Sequence, residues 1–286
     1  MLLISKLINM QNQSNYELVI RANKSNLHYW NDIWSYRELF FFLAWKDILV
    51  RYKQTVIGIS WSVLRPFLTM VILTIVFGKI AGLPSGNIPY PILVFSAMLP
   101  WQYFSSSFSE ASNSLITNSN LLTKVYFPRL IIPTTSIVVS LIDFIISLFI
   151  MGILMLYYNF TPGWRIIILP IFLIQATILS LGTSYFISAL NVKYRDFRYI
   201  VPFIVQFGLY ISPVGFRSEV IPEKWQYLYS LNPMVGIIDG FRWAIIGGDS
   251  KLNIIAFLLS SLVTCVFFVF GIKTFRKIER KFADVV

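Results

Sequence analysis

WSYRELFFFLAWKDILVRYKQTVIGISWSVLRP, residues 34–66, runs from a polar start through an aromatic block to charges at Lys46, Asp47, Arg51 and Lys53, then becomes continuously apolar from 57 to 61. On a helix over 36–57, Phe41, Trp45, Ile48 and Tyr52 line up, with Phe42 and Leu49 beside them, while Arg37, Asp47, Arg51 and Gln54 gather on the opposite side. Lys46 and Lys53 flank the stripe, where long stems lie along lipid and the ammonium groups reach water. Asp47 and Arg51 are spaced for an i,i+4 ion pair. A helix of this kind lies in the membrane interface and does not cross it. The same pattern also suits an amphipathic helix of a soluble core, and the rest of the chain decides between the two.

Of the 286 residues, 56% are hydrophobic, 17% aromatic and only 13% charged, far too apolar for a soluble domain. The apolar residues come in long runs, which is the mark of a polytopic membrane protein. The net charge of +11 does not point to nucleic acid, because the basic residues sit in short segments between those runs. Cys265 lies inside the last run as small apolar filler, and neither it nor His28 has partners at metal-ligand spacing. The start of the chain lacks the pattern of a cleavable signal peptide. Residues 1–33 read as a cytoplasmic lead-in, with a short strand over 16–20 and a loop over 23–31.

A span needs about 20 mostly apolar residues. Windows at 61–80, 92–112, 130–157, 166–190, 199–216 and 252–275 qualify. The stretch 225–248, WQYLYSLNPMVGIIDGFRWAIIGG, tempts a seventh span but is interrupted by Asn232-Pro233, Asp239 and Arg242. Six spans with both termini inside put most basic residues in the cytoplasm and leave Arg165, Arg217, Lys224, Arg242 and Lys251 on the other side. A seventh would strand the basic tail outside, against the positive-inside rule. Residues 225–248 are therefore expected to be a pair of short helices dipping in from the outer face, which requires cover by protein or a water-filled cavity. The expected organisation is lead-in (1–33), interface helix (34–60), transmembrane domain (61–275) and cytoplasmic tail (276–286).

No phosphate-cradling loop of the G-x-x-x-x-G-K-[ST] type, no zincin pattern and no catalytic triad pattern occurs in the sequence. Uphill movement would draw on a partner or an ion gradient. Ion-coupled carriers place several ionisable groups deep in the bundle, and here only Asp143, between Ser140 and Ser147 on one face, is mid-span, with Glu110 near the inner end of the second span. Asp143 either bonds neighbouring helices or makes a functional polar contact. The inner loops NLLTKVYFPRLIIP (120–133) and NVKYRDFRY (191–199) either anchor topology or dock a cytoplasmic motor.

Several stretches together carry a resemblance: YRELFFFLAWKDILVRYKQTVIGISW (36–61), LLTKVYFPRLIIP (121–133), LNVKYRDFRYI (190–200), SPVGF, IPEKW, LNPM and GFRW within 212–243, and FRKIERKFADVV (275–286). In that order the chain resembles the permease subunit of bacterial ABC-2-type polysaccharide exporters, which move lipid-linked O-antigen, capsule or teichoic acid chains. It departs at Lys46, where an Arg is expected before Asp47; the charge is kept and the fork geometry lost. The resemblance implies an all-α half-transporter in the inner membrane that works as a homodimer with two copies of a separate ATPase. The chain itself would bind no cofactor, ATP and Mg being held by the partner, and the substrate would be a polyprenyl-diphosphate-linked polysaccharide. It further implies an interface helix carrying Arg37, Trp45, Asp47, Arg51 and Tyr52. Coupling to the ATPase would fall to a helix over 119–126 and the loop 191–198, through Lys124, Tyr126, Arg129, Arg195 and Asp196. An outer gate would be built on Asn232, Pro233, Asp239 and Arg242.

Tyr199, Phe203, Phe207 and Tyr210 share one face of the fifth span, with Gln206 adjacent, and Trp61, Phe67, Trp101, Tyr103 and Phe104 add rings on the first two. Such rings suit weak sliding contacts with sugars, or they pack on lipid and belt the interfaces; the candidates for channel lining are Trp61, Phe67, Tyr103 and the stripe on span five. A small-lipid or drug permease is the nearest alternative function. The scarcity of buried ionisable residues counts against an ion-coupled carrier, and the lack of clustered catalytic acids or a histidine against a membrane transferase.

Overall fold

The computed structural model describes residues 26–53, 58–86, 88–194, 196–247, 252–279 and 282, and every regular element among them is helical. Two N-terminal helices, α1 (Asn26–Ser35) and α2 (Arg37–Lys53), lead to α3 (Gly58–Leu73), which runs on as a π-helical segment at Thr74–Ile80. Then come α4 (Tyr90–Thr117), the short α5 (Ser119–Lys124), α6 (Ile131–Tyr157) and α7 (Leu169–Lys193), the last preceded by a 3-10 turn. The chain ends with α8 (Phe197–Ile211), the short α9 (Glu223–Tyr229), α10 (Pro233–Ile246) and α11 (Ile254–Glu279).

Among the described residues, four stretches are long and apolar enough to cross a membrane: Ser60–Ile80, Ile131–Tyr157, Trp164–Lys193 and Ile254–Glu279. They coincide with four of the windows expected from the sequence. The other two differ for physical reasons. Helix α4 has 28 residues, about 42 Å at the usual rise and ample to span, but its second half carries Ser105, Ser106, Ser107, Ser109, Glu110 and Ser112. It can afford them because it is the central helix, packed on α3, α6, α7, α8 and α10. Val94, Phe95 and Ala97 are wholly buried, so protein surrounds it where lipid would demand apolar side chains. Its hydroxyls bond back to their own helix, Ser106 to the Gln102 carbonyl and Ser114 to that of Ala111.

Helix α8 has only 15 residues, about 22 Å, so the expected span 199–216 is helical for little more than two-thirds of its length. The remainder forms a loop whose carbonyls are claimed by side chains from three other elements. Tyr229 Oη donates to Ile211 O at 2.8 Å, Tyr90 Oη to Gly215 O at 2.7 Å, and Arg242 to Val214 O and Phe216 O at 3.0 and 2.6 Å. These groups satisfy the helix end and loop that a continuing helix would have satisfied internally.

The apolar side chains form two clusters. The larger joins the middle of the bundle and the end away from the termini, with Met98, Tyr103, Phe144, Phe172 and Phe241 at its heart. The smaller lies at the terminal end, where Leu43, Leu122, Phe127, Tyr185, Phe275 and Phe282 meet. Helices α7 and α11 run parallel between the clusters and nearly touch: a Cβ on Gly182 would lie 2.6 Å from the Phe268 backbone, and one on Gly271 would strike the Gly182 carbonyl. Two small residues let the backbones approach this closely.

At the N-terminal side, the loop expected over 23–31 is replaced by α1 from Asn26 onward. Tyr29 and Ile33, one helical turn apart, both pack on the smaller cluster, and this tertiary contact outweighs the turn-forming Asn and Ser residues. The expected helix over 36–57 starts after a bend at Tyr36 and is described as far as Lys53. The strand expected at 16–20 and residues 54–57 lie outside the described residues. The short helices expected over 225–248 appear as α9 and α10, parted at 230–232.

Candidate coupling and gating sites

Helix α2 climbs the bundle. Lys46 Nζ donates to Asn118 Oδ1 at 3.3 Å, at the foot of α4, and also pairs with Asp47 at 3.2 Å. Five residues later, the Arg51 guanidinium pairs with Glu110 of α4 at 2.6 Å and Asp143 of α6 at 2.8 Å. Tyr52 donates to the other Asp143 oxygen at 2.6 Å. The Arg51 face of α2, opposite the apolar stripe read from the sequence, is thus turned onto the bundle. The aromatic edge of the helix takes the outside: Phe41, Phe42 and Trp45 are exposed, while Leu43 and Ala44 are buried. Arg37 is exposed near the start of the helix. With one cation between two carboxylates, Asp143 bonds neighbouring helices and ties α2 to α6.

At the terminal end, α5 (Ser119–Lys124) occupies most of the expected coupling segment. Lys124 and Tyr126 are exposed, and so is Asp196 at the start of α8. Arg129 is half-buried and fixed twice: its backbone N–H donates to Glu279 Oε1 at 3.0 Å, and its guanidinium donates to the Glu279 carbonyl at 3.0 Å. A cavity of about 460 Å³ opens beside Lys124, Tyr126, Arg129 and Phe282. Arg195 lies outside the described residues, so Lys124, Tyr126, Arg129 and Asp196 are the described members of that set.

The opposite end is closed by α9, α10 and the 211–216 loop. Asn232 caps α10, its Oδ1 accepting from Met234 N–H at 3.1 Å while its amide donates to Ser212 Oγ at 3.1 Å. Pro233 follows at the first helical position, where its missing N–H costs nothing. Asp239 accepts from Ser218 Oγ at 2.8 Å. Arg242, 3% exposed, fans its donors onto the carbonyls of Leu93, Val214 and Phe216. All four candidate gate residues meet in one region, and Asn232, Asp239 and Arg242 each make an identifiable side-chain bond.

The aromatic candidates divide. Tyr199, Phe203, Phe207 and Tyr210 are all exposed on the outward face of α8, the Phe203 and Phe207 rings stacked at 5.6 Å. Trp61 and Phe67 are exposed on α3. Tyr103 leaves the set: it is 1% exposed, bonded to Thr177 at 3.0 Å and set edge-on against Phe144. Trp101 and Phe104 are buried with it, because α4 is central and offers no lipid or channel face at that level.

Residues the sequence reading passed over are Tyr29 and Glu279. The Tyr29 hydroxyl donates to both Glu279 carboxylate oxygens at 3.1 and 3.0 Å, and its ring lies under Arg276. Burial, reinforced by the Glu279 charge, pushes the Tyr29 phenol far above its usual range. A signal was present, since Glu279 is the lone acid in the basic run KTFRKIERK (273–281).

The family model for ABC-2 type transporters matches residues 38–246. The chain is 28% identical over 245 residues to an O-antigen export system permease protein RfbA of Klebsiella pneumoniae, covering 84% of this chain and 92% of that one. It is 28% identical to the RfbA protein of Myxococcus xanthus over 74% and 81% of the two chains. To the polysialic acid transport protein KpsM of Escherichia coli it is 24% identical, over 71% and 79%. With the family pattern running from α2 to the end of α10, and covering both the Arg51 cluster and the Arg242 fan, this chain belongs to the ABC-2 type transporter family.

Proposed function

We propose that the chain is the membrane-spanning subunit of an ATP-driven exporter that carries a lipid-linked, O-antigen-like polysaccharide across the inner membrane. The observation that carries this reading is the similarity, over most of both chains, to permeases named for O-antigen export and to one named for polysialic acid transport. Six crossings complete the topology: the four long apolar helices, the central α4, and α8 extended by its side-chain-capped loop. The terminal end then faces the cytoplasm, and α9 and α10 form a re-entrant outer cap. Two copies face each other across α3 and α8, with Trp61, Phe67 and the α8 rings turned toward the space between them. Two copies of a separate ATPase bind at Lys124, Tyr126 and Asp196 and supply ATP hydrolysis with its Mg. The polyprenyl diphosphate enters at that end and the glycan passes between the α8 faces, along rings that give weak contacts at every step.

The test is purification from the native membrane, with the mass and stoichiometry of what accompanies the chain. A 2:2 assembly with a nucleotide-hydrolysing subunit, together with loss of surface polysaccharide on deleting this chain, is the expected result. A chain that purifies alone under the mildest detergents, in cells whose surface glycan does not depend on it, overturns the reading.

A further inference from the structure

We infer that the two ends of the chain form a clasp that positions the coupling segment, with Glu279 as its positioning residue and α11 as a second route for motion into the membrane; the inference rests on the exporter reading above. Two segments far apart in sequence converge on the Glu279 carboxylate of α11. Tyr29 of α1 donates to both of its oxygens, across 250 positions of chain. Arg129, five residues past the end of α5, donates its backbone N–H to the same group. The Arg129 guanidinium reaches the Glu279 carbonyl, so this residue is held through both main chain and side chain by the last turn of α11.

Rings complete the clasp. The Arg276 guanidinium lies 4.2 Å from the Tyr29 ring centroid, and that of Arg129 lies 5.3 Å from the Phe282 ring. Phe282 is buried against Phe275, and both belong to the terminal-end cluster with Leu122 and Phe127 from the coupling region. A displacement of 119–126 is therefore delivered to α11 through Arg129 and Glu279, as well as to α6 through the chain itself. The cavity of about 460 Å³ beside Lys124 and Tyr126 leaves the segment room to move against this fixed point. The bond satisfies the Arg129 N–H and also holds the main chain at the junction of coupling helix and span, which is where position is transmitted.

The experiment uses the full-length chain with its ATPase. Surface labelling of the host's own polysaccharide measures export in cells, and ATP hydrolysis is measured on the purified complex. Glu279→Leu removes the acceptor for Arg129 and Tyr29; Glu279→Gln keeps an acceptor of the same shape. The expected result is a complex that assembles and hydrolyses ATP while export relative to hydrolysis falls about fivefold or more in Glu279→Leu, with most of it restored in Glu279→Gln. A merely structural role lowers protein amount, hydrolysis and export together and leaves their ratio unchanged, which overturns the clasp. Where Glu279→Leu does not accumulate, Tyr29→Phe decides: it deletes one hydroxyl, keeps the ring under Arg276, and is expected to lower the ratio about twofold, an unchanged ratio again overturning the inference. Absence of any nucleotide-hydrolysing partner would instead sink the exporter reading, a result separable from either.

Discussion

At the end away from the termini, one buried guanidinium holds three carbonyls and the surrounding helices share the core of the bundle. At the terminal end, a separate apolar cluster is tied by bonds that join residues 150 and 250 positions apart, and a cavity lies open beside it. The first end is continuous with the spans and gains its order from them. The second is a smaller apolar cluster in which Leu43, Leu122 and Phe282 join Leu115, Ile131, Tyr185 and Phe275 at the ends of α4, α6, α7 and α11. Local stability is set by the density of buried apolar contacts, so the two ends should differ in how far they can move. The Arg242 end is the better-packed frame, and on the exporter proposal the end with exposed Lys124 and Tyr126 is the part that receives a push.

The strongest way to break this contrast is at Arg242. Replacement by Met leaves the Val214 and Phe216 carbonyls without the guanidinium donors, while the Leu93 carbonyl keeps the Ser96 hydroxyl, in a site that is 3% exposed for the arginine. Charged donors and the desolvation of orphaned acceptors together put the cost at about 3 kcal/mol or more. Thermal unfolding in detergent should show a large drop or no folded protein, and Arg242→Lys should rescue little, because an ammonium cannot reproduce the fork. A variant melting like the parent would remove the distinction between the two ends. Second in size is Gly271→Leu, which forces α7 and α11 apart where their backbones meet. Overpacking of this kind costs about 1–3 kcal/mol, and since both helices run to the terminal end, hydrogen exchange there should rise more than around α10.

The architecture was largely legible in the sequence because it is written in long apolar runs. What the runs could not show is which helix sits in the middle: α4 reads as a weak span because neighbours, not lipid, cover its serines. The faces of α2 were legible as faces but not as directions. An aromatic edge toward lipid and charges toward a partner carboxylate produce the same periodicity as charges toward water. Arg51 needed Glu110 and Asp143, 59 and 92 positions away, and spacing along one helix says nothing about either. The four candidate gate residues stand out in the sequence because Asn-Pro and two charges break an apolar run, whereas Tyr29 and Glu279 sit in segments whose composition reads as loop and tail.

The Arg51 cluster sharpens the comparison at its midpoint, between the better-packed frame and the clasped end. Its side chains are 29%, 38% and 20% exposed for Arg51, Glu110 and Asp143, so the pair is well short of fully buried and its worth is correspondingly discounted. Arg51→Leu is expected to cost about 1–2 kcal/mol by leaving two carboxylates facing each other. Adding Glu110→Gln and Asp143→Asn should recover most of it, since the repulsion goes with the charges. Recovery measured as a coupling energy in a mutant cycle checks this, and simple additivity would mean that α2 is held by its apolar contacts and the Lys46–Asn118 bond without the charge cluster.

The smallest effect on stability should come from the α8 rings, and here smallness is the point. Phe203 and Phe207 are 64% and 54% exposed in the single chain and stack on each other, with little of the bundle around them. Truncating Phe203 to Ala removes mostly exposed area, so folding of the chain should change by no more than about 0.5 kcal/mol. If the rings only face lipid, export and subunit association should be as indifferent as stability. If they line the path between two copies, export should fall while the melting temperature and the yield of complex stay put. The same variant in a dimer whose stability does drop would place the rings at a packed interface. Three measurements on one substitution thus separate lipid, channel and contact, because the structure has already removed the fourth explanation, a role in the core.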